Sequence, residues 1–186
     1  MSNKHTDKRC IKTDYKINKG LQGLVRKKDM LAIRTSDIYH AARISPASFY
    51  RRYHNVNDYF LDAENDLLES FAKFLNKNRG ESSRRFYLNF LLFIYEHRDF
   101  IMILIDSESF KILHQMLISA RDEILKRWND YGPRRETIFS FYAMCVLEDL
   151  ILWRFEQFRF SSLERHALDL ARIEKRAPSD FIYYAH

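Results

Sequence analysis

Apolar positions along the chain recur mostly three and four residues apart, the period of a helix face, and strand-like alternation is scarce. From Ile17 they fall at Leu21, Leu24 and Val25, with the polar Lys27-Lys28-Asp29 as a stop. This spacing predicts a first helix, weakened by Gly20 and Gly23. Thr35 and Ser36 then offer N-caps and Asp37 a first-turn acid for a short helix that places Ile38, Ala41 and Ala42 on one face. Ser45 is a natural cap and Pro46 a natural first helical residue, because proline has no N–H to leave unpaired there. A second short helix therefore starts at 46, with Phe49 and Tyr53 facing the same way. Two short helices joined by a tight turn and preceded by a longer one form a helix-turn-helix unit.

After the polar break HNVND, residues 57–77 carry Phe60, Leu61, Leu67, Leu68, Phe71, Phe74 and Leu75 at helical spacing. The stretch NKNRGESS (76–83) supplies Gly80 as a stop and Ser82 or Ser83 as the next cap. Further helices are expected over 83–96, 98–105, 107–130, 134–157 and 161–176, with Gly132-Pro133 breaking the longest pair. The fold class is all-α: a flexible basic tail (1–12), a three-helix helix-turn-helix head (13–58), a connecting helix (59–78) and a C-terminal helical bundle (82–180) for regulation and dimerisation. FYLNFLLFIY (86–95) and TIFSFYAMCVLEDLILWRF (137–155) are apolar over most of their circumference. Both call for cover on several sides, the second partly from another subunit.

Charge sharpens this division. Residues 1–55 hold 13 Lys/Arg against 4 Asp/Glu, a net +9, whereas 56–186 hold 18 against 21, a net −3. A basic head on a mildly acidic body is the electrostatic footprint of a module that docks on a polyanion. Composition, 46% hydrophobic with only four glycines and three prolines, excludes a disordered or fibrous chain. The longest apolar runs, FLLFIY and FYAMCVL, stop far short of the roughly 18 residues a bilayer span needs, so no membrane insertion is expected. Cys10 and Cys145 show no CxxC or Cys/His spacing; neither a disulfide framework, a metal site nor a cofactor is implied, and a reducing cytoplasm fits.

A helix entering the major groove of double-stranded DNA contacts bases through its first residues and phosphates through its flanks. Those positions carry Ser45, Pro46, Ala47 and Ser48, then Tyr50, Arg51 and Arg52, with Thr35, Ser36 and His54 at the margins. Arginine pairs with guanine or phosphate, and Ser, Thr or Tyr hydroxyls suit phosphate oxygens. The first rival is a helical interaction module whose basic head docks on an acidic protein, without specific DNA or ligand binding; the second is a small helical enzyme using Glu148, Asp149 or His114, against which stands the lack of any paired constellation.

The segment IRTSDIYHAARISPASFYRRYHNVNDYF (33–60) resembles the DNA-binding head of the tetracycline-repressor (TetR) family, whose pattern runs roughly T-V-x-D-I-A-x-x-A-G-V-S-x-G-T-L-Y-x-H-F-x-S-K-E-x-L. Asp37, Ile38, Ala42, Ser45 and Tyr50 match, and Ile44, Ala47, Ser48, Phe49 and Tyr53 are close replacements without a gap. Tyr39, Arg43, Arg52 and Val56 depart from it, standing for alanine, the turn glycine, histidine and a backbone-contacting lysine. FIYEHRDFIMILIDSESF (93–110) and FSFYAMCVLEDLILWRFE (139–156) are similar to the body of a branch common in Gram-positive bacteria, so the similarity covers most of 15–175. The resemblance implies a transcriptional regulator, a repressor, that binds a palindromic operator as a homodimer. The helices at about 134–157 and 161–176 would form the dimer, and a small-molecule inducer would release the DNA.

Histidines and carboxylates form no HExxH, no nucleophile elbow and no paired constellation, so no catalytic residue is expected. Phe90 and Phe93 on an aromatic helix, with His114 and Glu148, are the candidate ligand-lining residues, because drug-sized ligands favour apolar walls with few polar groups.

Overall fold

The structure, a computed structural model, describes residues 8–29, 32–107, 110–126 and 135–183. Among them are nine α-helices and no strand: α1 (Lys8–Val25), α2 (Thr35–Ala41), α3 (Pro46–Tyr50), α4 (Val56–Lys77), α5 (Ser83–Glu96), α6 (Arg98–Asp106), α7 (Lys111–Leu125), α8 (Arg135–Phe155) and α9 (Leu163–Tyr183). The all-α expectation holds, and no helix of the described residues is long and apolar enough to cross a membrane.

Several boundaries differ from the sequence reading. Residues 8–12, assigned to a flexible tail, are the first turns of α1, since Lys8–Tyr15 holds neither glycine nor proline to oppose a helix. The N-cap of α2 is Arg34 rather than Thr35 or Ser36: the Asp37 carboxylate accepts the Arg34 N–H at 3.0 Å, which draws Thr35 into the helix. Ala41, expected on the buried face with Ile38 and Ala42, is exposed. Helix α7 spans 111–125 instead of 107–130, and the expected Gly132-Pro133 break lies outside the described residues.

The chain divides into two compact units, residues 1–66 with 99–109 and residues 67–98 with 110–186, and α4 contributes its first half to one and its second half to the other. In the first unit α1 and α2 cross at Gly20, where a Cβ would lie 2.7 Å from the Ala42 nitrogen. Ile17, Leu21, Ile38, Phe49, Tyr53, Tyr59 and Phe60 bury against one another behind that crossing. Tyr59 donates its hydroxyl to the Asn18 amide oxygen. Helix α6 belongs to this unit: Asp99 accepts from Lys19 at 3.0 Å and from Gln22, Asp106 pairs with Arg26 at 3.3 Å, and Phe100 meets Phe60.

In the second unit the end of α4 and α5 form a hairpin across the turn at 78–80, where Gly80 takes the left-handed conformation (φ 78°) the sequence anticipates for a stop. Phe71 and Phe74 stack on each other and meet Phe86, Phe90 and Phe93 at tilted or edge-on angles. Helix α5 packs on α9, and α8 lies between α7 and α9. Tyr87 and Tyr142 are hydrogen-bonded through their hydroxyls in the interior, and Ser83 donates to the buried Glu174 at 2.9 Å. The second apolar helix is covered on one side only: Phe139, Tyr142, Val146, Leu150 and Trp153 of α8 are buried, while Phe141, Met144, Leu152 and Phe155 remain exposed.

Candidate nucleic-acid interface

The head's geometry follows from three local features. Ser45 is extended (φ −74°, ψ 149°) and its hydroxyl accepts the Ser48 N–H at 3.1 Å, so α3 starts at Pro46 by satisfying one of the orphan donors of a helix terminus. The turn before it is made by Arg43, whose φ of 52° is the left-handed conformation that glycine adopts without strain. The Ile44 N–H returns to the Tyr39 carbonyl at 3.0 Å, closing α2 as that turn reverses the chain. Helix α3 is then fixed to the core by Phe49, fully buried, and the turn that follows it by Tyr53, whose ring lies 5.6 Å from that of Phe49.

Tyr53 also donates its hydroxyl to Asp14 on α1 at 3.1 Å, and burial pushes its ionisation far above the ordinary tyrosine range, with the Asp14 charge adding to the effect. The other Asp14 oxygen takes the Arg52 guanidinium at 2.9 Å, with the Arg52 side chain 12% exposed and lying against the Tyr53 ring. Asp14 therefore ties α3 to α1 through two neighbouring residues at once.

Of the expected DNA contacts, Ser45, Pro46, Ala47, Tyr50, Arg51 and His54 are exposed, and Thr35, Ser36 and Ser48 are half-buried. Arg51 and Tyr50 stand outward from the end of α3, whereas the Arg52 guanidinium is engaged with Asp14. His54 donates its backbone N–H to Asp58 at 3.0 Å, which fixes the loop into α4. Arg34 and Arg43, which the sequence reading did not place among the contacts, are exposed at the two ends of α2 and add positive charge to the same segment. Their signal was present in the charge count and absent from any spacing rule. Asp37 offsets part of that charge: its bond from the Arg34 N–H, then its pairing with Lys28 at 3.0 Å, hold its carboxyl below the usual range.

The four expected ligand-lining residues fall in different settings. Phe90 and Phe93 belong to the aromatic cluster with Phe71 and Phe74. His114 is exposed on α7 and Glu148 on α8, and the Asp149 next to Glu148 pairs with His166 at 2.9 Å. Free Cys145 is exposed on the same outer side of α8. A scan against protein-family models, a search of curated proteins and a search of solved structures each return no match.

Proposed function

We propose that the chain is a TetR-like transcriptional regulator that binds a palindromic DNA operator as a homodimer. The observation that carries this reading is the α2-turn-α3 unit. Its inner face is locked by Phe49 and Tyr53, and its outer face, Ala47, Tyr50, Arg51 and His54, is exposed within the first 55 residues, which are net basic while the rest of the chain is net acidic. Ala47 is small enough for close approach to a groove, Arg51 supplies a fork of donors for guanine or phosphate, and Tyr50 supplies a hydroxyl for a phosphate oxygen. Arg52 acts from behind, holding α3 to α1 through Asp14.

The dimer reading rests on α8. Phe141, Met144, Leu152 and Phe155 fall at i, i+3, i+11 and i+14 on one helix face and are 49%, 66%, 52% and 76% exposed. Two pairs of exposed apolar side chains on that face, about two turns apart with the exposed Glu148 between them, are what a second copy would cover, and Leu168 of α9 is likewise exposed. Two heads related by a two-fold axis then meet half-sites about one DNA turn, roughly 34 Å, apart. The working mode is repression relieved by a small ligand that favours the conformation whose heads no longer match that separation.

Selection of bound fragments from the source genome, followed by mobility-shift titration of the recovered sequence against scrambled duplexes, tests the reading. A shared palindromic motif is expected. Equal affinity for every duplex at each salt concentration instead identifies the basic head as a docking site for an acidic protein.

A further inference from the structure

The second unit carries a groove of about 420 Å³ between the last turns of α4 and the length of α5. Its apolar lining is made by Phe74, Leu92 and Phe93, the two rings 5.4 Å apart and tilted 41° to each other. Its two ends differ. At one end Lys77, in the last turn of α4, stands beside a buried amide pair: Asn78 donates to the Phe74 carbonyl at 2.8 Å, and Asn89 donates to the Asn78 amide oxygen at 2.6 Å. That arrangement holds Asn78 and Asn89 rigid next to a surface ammonium.

Seven residues further along α5, roughly 10 Å by helical rise, the other end presents Glu96, His97 and, across from them on α4, Ser70. His97 lies against the Phe93 ring at 4.4 Å, and burial lowers its basicity despite the adjacent Glu96, so near neutral pH its ring offers one donor and one acceptor. Lys73 at the lip is already paired with Glu69 at 2.8 Å, which leaves Lys77 as the cation that faces the amide end.

We infer that this groove binds an aromatic carboxylate, its ring system on Phe74, Leu92 and Phe93, its carboxylate at Lys77, and a hydrogen-bond donor on its far edge at Glu96 and His97. A floor of aromatic carbon with a few convergent polar groups is the make-up of a small-molecule site, and the volume suits a two-ring ligand. The site is an open hairpin groove, and of the ligand residues read from the sequence it uses only Phe93. Helix α4 runs from Val56, directly after the head, to Lys77 in the groove, so a bound ligand touches the helix on which the head is mounted. That regulatory consequence rests on the DNA-binding reading; the binding itself does not.

The test is a fluorescence and calorimetric titration of the full chain with 6-hydroxy-2-naphthoate, in the absence of DNA. Saturable binding of one molecule per chain is expected. Replacing the carboxylate by a carboxamide, or Lys77→Gln in the protein, should each weaken it about tenfold, the worth of one charge-assisted contact. Ser70→Trp, which fills the groove from its lip, should abolish binding, and Lys111→Gln on α7 should leave it unchanged, with thermal melting confirming that each variant folds. No saturable binding at millimolar probe overturns the inference, as does binding that Lys77→Gln and Ser70→Trp leave intact. Because no DNA is present, either result is separable from failure of the head to recognise an operator.

Discussion

Gly20 is the position at which the head's geometry is most exposed to a single methyl group. A Cβ built there meets Ala42 N at 2.7 Å, Ala41 C at 3.0 Å and Ala42 Cα at 3.1 Å, all of them backbone atoms that no side-chain rotation can withdraw. Ordinary contact begins near 3.4 Å, so Gly20→Ala must push α2 away from α1. Overpacking of this kind costs about 1–3 kcal/mol, and the better helix propensity of alanine returns about 1 kcal/mol, leaving a net loss of up to about 2 kcal/mol. Gly23, one turn further on, has no atom within 4 Å of its added Cβ, so Gly23→Ala keeps only the propensity gain of about 0.5–1 kcal/mol. Urea denaturation followed by circular dichroism should place Gly20→Ala below Gly23→Ala by the overpacking cost alone, about 1–3 kcal/mol, because the propensity gain is common to both. If Gly20→Ala is as stable as Gly23→Ala, the close crossing of α1 and α2 is not what holds α2 in place.

Arg43→Gly relieves an exposed left-handed residue at φ 52°; net of glycine's greater unfolded-state entropy it should stabilise by about 0.5–1 kcal/mol, a rise of a few degrees in Tm, and a fall in Tm contradicts the strain. Met144→Lys replaces an exposed apolar side chain next to Phe141 on the outer face of α8 and should raise the dissociation constant of the proposed dimer about 30-fold or more, read by sedimentation equilibrium; an unchanged value removes α8 from the interface. Burial raises the ionisation of Tyr53, Tyr59 and Tyr87 above the ordinary value near 10. The unfolded chain therefore releases these protons first, and stability that is full below about pH 10 declines as pH climbs beyond it. Absorbance at 295 nm should show these tyrosines ionising together with unfolding, and a smooth titration of every tyrosine in the folded chain contradicts their burial.

What could be read from the sequence is what short-range chemistry decides. Ser45 caps the Ser48 N–H three residues away, Pro46 starts α3, and Phe49 and Tyr53 share a face because they are four apart. The left-handed Arg43 was legible as the residue standing where the TetR-like pattern has glycine. The outer stripe of α8 followed from the same counting, because a helix apolar all round exceeds what one neighbour covers.

Long-range partners had no such signal. Asp14 lies 39 positions before Tyr53, and nothing in either local pattern says that it takes both Tyr53 and Arg52, which turns one of two adjacent arginines inward. Asp99 and Asp106, near the two ends of α6, tie it to α1 across about 80 positions. Gly20 read as a flaw in α1 and is the contact point of two helices. The α4–α5 groove arises from how a hairpin brings Lys77, Asn89 and His97 to line one groove, which no single stretch of sequence encodes.

Arg51 carries the central claim, because it is exposed at the end of α3 while its neighbour Arg52 is held by Asp14. The direct measurement is the fluorescence anisotropy of a labelled palindrome recovered from genomic selection, titrated over a range of salt with wild type, Arg51→Ala and Arg52→Lys. The account predicts a preference of at least about 10³ over scrambled DNA. For Arg51→Ala it predicts a loss of about 1–3 kcal/mol if the contact is to a base, or a salt slope lower by about one if it is to a phosphate. Arg52→Lys, which keeps a cation for Asp14, should bind nearly as wild type. Equal affinity for scrambled duplexes at every salt concentration, or an Arg51→Ala variant with unchanged affinity and salt slope, contradicts it.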